Sequence, residues 1–295
     1  MVTLLICKAE YCFATGAGTA GAAFLKIGVG ARPEGMCGAY VSVSNDLNSL
    51  YWNPAGLSLV RRSQAGAAHN IWLGDMSYEN LGYVHKLRGQ KSVGIMINLM
   101  NTKDTRRISR IESDMGDFGV SDLALTVGYG QKLLNMAAVG INAKIIRQAI
   151  DRYSAGTICM DIGAIIDITK NTKIGFAVQN IGKSMVFINQ ASPLPIIYRI
   201  GSSIRLLEDK LLLSIDVVSV YDDNDSLNIG MEYSVRELLY LRTGYKLTSD
   251  IIVHDSSEEY SAGIGIKFKK YIIDYAFVPY GVLGNTHRIS ILVEL

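Results

Sequence analysis

No stretch of this 295-residue chain approaches eighteen consecutive uncharged apolar residues, which excludes a membrane-spanning helix. Prolines number five and leave most segments free to form unbroken hydrogen-bonded ladders. The four cysteines (Cys7, Cys12, Cys37, Cys159) form no C-x-x-C pair. No disulfide framework is indicated, and Cys37 and Cys159 read as small apolar fillers. Four histidines (His69, His85, His254, His287) fall outside metal-ligand spacing. A net charge of only +2, with no basic stripe interleaved with aromatics, lacks the footprint of a nucleic-acid partner. Gly28, Gly30 and Gly35 lack the strand–helix context of a dinucleotide turn. His287 and Ser290 fall on opposite faces of one expected strand, and 256-SSEE-259 reads as a loop. The expectation is therefore no enzyme, no cofactor and no metal.

What the chain has instead is alternation. In 259-EYSAGIGIKFKK-270, Tyr260, Ala262, Ile264, Ile266 and Phe268 share one parity, and Ser261, Gly263, Gly265, Lys267 and Lys269 the other. In 226-SLNIGMEYSVR-236, Leu227, Ile229, Met231, Tyr233 and Val235 oppose Asn228, Gly230, Glu232, Ser234 and Arg236. Period-two alternation means strands with two chemically different faces. Strands are expected at 64–73, 77–87, 91–101, 120–131, 136–147, 157–168, 172–182, 196–206, 210–220, 226–236, 238–247, 259–270, 271–279 and 286–295. Short links (Asn135, 169–171, Glu237) tend to alternate with longer ones (102–119, 148–156, 183–195, 221–225, 248–258). That is the asymmetry of outer-membrane barrels. The mean hydropathy is positive although no apolar run occurs, as expected when every second side chain meets lipid. The 29 glycines suit a barrel interior and the 16 tyrosines its interfacial girdles. The expected fold is all-β: a transmembrane antiparallel up-and-down β-barrel of about 14 strands over residues 64–295. It would lie in the bacterial outer membrane, with outer-membrane lipid and the barrel assembly machinery as partners. Ile289, Ile291, Val293 and Leu295 give the closing strand an apolar end for that machinery.

The N-terminal part does not alternate. Residues 1–14 read as a residual signal peptide with Cys12-Phe13-Ala14 as its small-x-small end. Residues 15–63 read as an N-terminal hatch folded into the lumen. A short helix is expected from about Leu47 to Trp52, stopped by Asn53-Pro54, since proline disfavours helix in the residue before it. Asn53 can cap backbone groups, Pro54 fixes the turn and Gly56 permits close backbone approach. An exposed periplasmic arm is the alternative, against which stand its leucines, tyrosines and tryptophan.

The segment 24-FLKIGVGARPEGMCGAYVSVSNDLNSLYWNPAGL-57 resembles the opening of the PorV/PorQ family of outer-membrane proteins. That family belongs with the FadL-type long-chain fatty-acid transporters. The resemblance is carried by Phe24-Leu25-Lys26-Ile27-Gly28, Ala31-Arg32, Gly35-Met36, Gly38-Ala39 and above all Tyr51-Trp52-Asn53-Pro54-Ala55-Gly56. Cys37 stands where the family usually has glycine. The resemblance implies a plug containing the Asn-Pro-Ala motif and a role in protein secretion or cell-surface attachment of the type IX kind, with a secreted cargo protein as partner. The FadL side of it implies transport of fatty acids or other hydrophobic small molecules instead. A structural barrel without transport is a third reading.

On the inward parity lie twelve charges, six of each sign: Asp122, Lys144, Asp161, Asp167, Arg199, Arg205, Asp216, Glu232, Arg242, Lys246, Lys267 and Asp274. Equal numbers argue against a strongly ion-selective pore, which carries a ring of one sign. They form either a salt-bridged lumen wall or, around Arg199, Arg205, Arg242 and Lys246, a site for a carboxylate or lipid head group. Asp216 and Glu232 would share such a lumen site.

Overall fold

A computed structural model describes residues 18–74, 76–102, 105–108, 114–134, 136–248 and 260–295, with backbone alone at 105–108, 114–118 and Leu134. The expected signal peptide, Asn135 and nearly all of the 248–258 link lie outside the described residues.

Among the described residues, eighteen strands follow the N-terminal segment. They are β1 Gln64–Ile71, β2 Ser77–Lys86, β3 Lys91–Asn101, β4 Thr105–Ile108, β5 Asp114–Phe118 and β6 Val120–Leu134. Then come β7 Ala137–Ile150, β8 Tyr153–Asp167, β9 Thr172–Gly182, β10 Met185–Phe187, β11 Gln190–Ser192 and β12 Ile197–Leu206. The last are β13 Leu211–Val220, β14 Ser226–Val235, β15 Leu239–Thr248, β16 Tyr260–Phe268, β17 Tyr271–Pro279 and β18 Asn285–Glu294. Fourteen of them close into a barrel, and β4–β5 and β10–β11 form two small hairpins in the links. Closure is made by β18 returning antiparallel to β1, from Gln64↔Glu294 to Ile71↔His287.

The faces fall as the alternation requires. Tyr260, Ile264, Ile266 and Phe268 are exposed while Ser261 is buried, and Lys267 turns inward to Glu294 at 3.1 Å. The same inversion holds around the wall: Leu81, Ile97, Ile145, Ile200 and Ile291 are exposed, whereas Asn98, Asn142, Asp161 and Asp216 are buried. A barrel apolar outside and polar inside has its solvent reversed, which is what a bilayer demands. His287 lies on the outer face against the Tyr275 hydroxyl, 2.8 Å, while Ser290 faces in and accepts from the Ala31 amide.

Three expectations are corrected. The 148–156 link is only the turn Asp151–Arg152, because β7 and β8 run on to Ile150↔Tyr153. Asp151 takes the left-handed conformation (φ 55°) that the tight turn needs. Gln148, Asp151 and Arg152 break the apolar alternation, yet both faces of a strand beyond the bilayer meet water, so the ladder persists without the pattern. The links 102–119 and 183–195 contain the hairpins β4–β5 and β10–β11 rather than plain loops. The helix expected at 47–52 is one turn, Ser49–Trp52 (α2). Leu47 donates its amide to Gln64 Oε1 and Asn48 to Asp46 Oδ1, which holds both outside the helix.

Residues 18–62 thread the lumen. At the long-loop end, Gly18 and Gly21 donate to the carbonyls of Asp222 and Pro193. At the short-turn end, the Ser63 carbonyl accepts from Leu295 and the Ser58 carbonyl from Lys86 Nζ. In between, this segment touches β7 through Asn142, β13 through Ser214, β16 through Ser261 and β18 through Arg288. A chain bonded to opposite walls of a closed barrel lies inside it.

Candidate functional site

The lumen is shaped by glycines before it is shaped by charges. Gly130, Gly140 and Gly163 are cross-strand partners on β6, β7 and β8; so are Gly175 and Gly201 on β9 and β12, and Gly230 and Gly244 on β14 and β15. Facing inward, they let the internal segment approach the wall backbone to backbone. A methyl group on Gly140 would overlap the Pro54 carbonyl, one on Gly175 would meet Val41 and one on Gly244 would meet Met36.

The motif Tyr51-Trp52-Asn53-Pro54-Ala55-Gly56 sits against this surface and is buried throughout. Asn53 Oδ1 accepts from the Ala55 amide at 3.1 Å, capping the single turn Pro54–Leu59. Its Nδ2 donates to the Val41 carbonyl at 2.8 Å and to Ala164 on β8 at 3.2 Å. Trp52 Nε1 donates to the Val29 carbonyl at 2.8 Å, tying the two limbs of the segment together. A Cβ on Gly56 would lie 2.6 Å from the Ser44 carbonyl oxygen. Cys37 has φ 50°, the left-handed region that glycine takes most cheaply. Burial pushes its thiol up to about 11.

The inward charges are largely consumed by one another. Arg32, on the short helix Ala31–Glu34 (α1), clasps Glu232 with Nε at 2.9 Å and Nη2 at 3.0 Å, and reaches Asp46 with Nη1 at 2.9 Å. Burial alone would lower the Arg32 pKa, but Glu232, Tyr40 and Asp46 outweigh it and hold it well above the ordinary value. Glu232 is shared with Arg242 at 2.7 Å, and Arg242 pairs with Asp274 at 2.7 Å. Asp216 accepts from the Tyr40 and Val41 amides at 2.7 and 2.8 Å. Arg199 donates to Gln179 at 3.0 Å and lies 4.7 Å over the Trp52 ring. Lys144 pairs with Asp161 at 2.9 Å, and Lys246 is exposed at the long-loop end.

Of the three arginines expected to form one site, Arg205 and Arg242 line one cavity together with Glu232, and Arg199 lies apart. Arg242 and Glu232 join Arg32, and Arg199 belongs to Trp52. Arg205 lines a cavity of about 320 Å³ at the short-turn end with Arg61, Leu59 and Leu212, and has no ion-pair partner among the described residues. Sequence reasoning missed Arg288, which pairs with Glu34 at 2.6 Å; its parity with Ser290 was the available signal. It also missed Asn142 and Gln179, which hold the carbonyls of Leu50 and Tyr51 and carry no charge to flag them.

Toward the long-loop end an apolar cluster lies beside the buried polar side chains of Asn98, Asp122 and Lys144. Met96, Ala124, Ile146, Ala155, Cys159, Met185 and Leu194 form one buried cluster with Phe24 and Leu25 of the internal segment.

No protein-family model matches the chain, and no curated protein matches it. Among solved structures it is similar to the Pseudomonas putida toluene transporter TodX, with TM-score 0.69 at 14% identity, covering 91% of this chain and 99% of that one. It is similar to the CymD monoaromatic hydrocarbon channel with TM-score 0.66 at 12% identity, covering 91% and 98%. A Pseudomonas aeruginosa FadL homologue gives TM-score 0.63 at 12% identity, covering 90% and 98%. These likenesses support the FadL-like part of the resemblance drawn from the sequence; the PorV/PorQ part finds no support in them. The chain is a fourteen-stranded transmembrane barrel with the fold of these solved proteins.

Proposed function

We propose that this protein is an outer-membrane channel for hydrophobic small molecules, with residues 15–63 as its hatch, residues 64–295 as its barrel and residues 1–14 as a signal peptide. The observation that carries the reading is the apolar cluster inside the barrel. Polar linings hold water, as in porins. This lumen also holds Met96, Ile146 and Met185 packed against Phe24 and Leu25, side chains among which an apolar solute would be at home. The similar solved proteins include a toluene transporter and a monoaromatic hydrocarbon channel, which favours this reading over secretion. The cargo-shuttle reading rests on the 24–57 resemblance to PorV/PorQ alone. Where a ligand carries an acid group, Arg205 is the lumen arginine open to it, since Arg199 and Arg242 are engaged.

The test is uptake of toluene and of a long-chain fatty acid into proteoliposomes. The purified barrel should accelerate entry of at least one of them over empty vesicles, and Met96→Lys should remove that acceleration. Entry no faster than in empty vesicles, together with lost protein secretion in cells lacking the gene, would replace transport by the PorV/PorQ-type role.

A further inference from the structure

The β7–β8 hairpin outruns the wall beside it. β8 pairs with β9 only as far as Cys159↔Gly182, beyond a register shift between Met160 and Ile162, whereas its pairing with β7 continues to Ile150↔Tyr153. Residues 153–158 therefore present an edge with no second strand partner among the described residues. Against that edge lies a hollow of about 560 Å³ bounded by Ile145, Ile158, Arg147, Ser154, Lys183 and Ser184. Thr157 Oγ1 donates to the Lys183 carbonyl at 2.8 Å, which fixes Lys183 beside the strand edge.

The register places this hollow in the membrane. Ile145 and Ile158 are partners on the outer face, both exposed. Ile145 lines up across the wall with Leu125, Ile97 and Leu81, in the apolar band. Arg147 is on the same outer face, opposite Gly156 and beside Leu123, one pair nearer the long-loop end. Apolar floor and cationic rim thus meet where hydrocarbon gives way to head groups. Neither Arg147 nor Lys183 has a carboxylate partner among the described residues, and exposed cations at this depth draw anionic lipid.

We propose that this hollow binds a phosphate-bearing anionic lipid of the leaflet at the long-loop end. The phosphate lies between Arg147 and Lys183 with the hydroxyls of Ser154 and Ser184 as further donors, and an acyl chain lies on Ile145 and Ile158. The site is independent of what the lumen carries.

Native mass spectrometry of the detergent-purified barrel with equimolar phosphatidylglycerol and phosphatidylcholine tests this. The wild type should retain the anionic lipid roughly tenfold over the zwitterionic one. Arg147→Gln with Lys183→Gln should bring the ratio to within about twofold, whereas Arg147→Lys with Lys183→Arg should keep it. The same loss of charge at the short-turn end, Arg88→Gln with Lys170→Gln, should also keep it. Equal retention of both lipids by the wild type, or an undiminished preference in the glutamine pair, overturns the site. Displacement of phosphatidylglycerol by millimolar inorganic phosphate overturns the lipid and leaves a site for the free ion.

Discussion

Gly140 on β7 lies directly against the Pro54 carbonyl, so closely that a methyl group there would overlap the backbone of the internal segment. Neither backbone can yield cheaply, because Asn53 is held on both of its sides. Gly140→Ala should therefore cost about 1–3 kcal/mol of overpacking and displace the segment while the barrel still forms. Planar-bilayer recordings should show raised conductance, with heat-modifiable migration on gels retained. Gly156→Ala, whose new methyl would find only the Ile146 carbonyl oxygen at 3.3 Å, should behave as wild type.

Asn53→Ala removes a cap and leaves the buried Val41 and Ala164 carbonyls without this donor. The expected loss is about 1–3 kcal/mol, read as a lower urea midpoint in detergent. Asn53→Asp keeps the acceptor for Ala55 and loses the donor, so it should also destabilise. If the aspartate variant matches the wild type, the Nδ2 contacts carry nothing.

Glu232→Gln removes the charge shared by Arg32 and Arg242, leaving them Asp46 and Asp274 alone. Breaking one partner of a buried ion group costs about 3–5 kcal/mol. Adding Arg32→Gln should recover part of that, because it relieves the two like charges. A double-mutant cycle with strictly additive losses would show that Arg32 and Glu232 are not coupled.

Ile264, midway along β16 on the lipid face, should resist charge. Ile264→Arg should cost roughly 2–4 kcal/mol at the bilayer centre, seen as slower insertion or a lower unfolding midpoint in vesicles. No effect would place that face away from hydrocarbon.

Most of the barrel was legible in the sequence, because a bilayer imposes a two-residue period on every wall strand. The strand ends at Asp151–Arg152 were not, since beyond the membrane that pressure lapses while the ladder continues. Tyr51 to Gly56 stood out through residue types that turn and cap locally, and their burial followed. What Arg199, Arg205 and Arg242 would each touch was not legible. Parity fixes which side a charge faces, but height along the strand and the course of the internal segment decide its partner. Arg32 and Trp52 come from outside the alternating region, and it is they that take Glu232 and Arg199.

The glycine pairs on facing strands have one more consequence. Gly130, Gly140 and Gly163, and in a second row Gly175 and Gly201, present bare backbone on the inner face of adjacent strands. The lumen is therefore widened along these rows, and the internal segment takes up the added width. Were it to swing aside, the backbone of these rows would have no side chain to move, and Glu232, Asp216 and Arg288 would lose their partners on the segment. Opening would be set by a single moving part, and the diameter of what passes by how far that part withdraws.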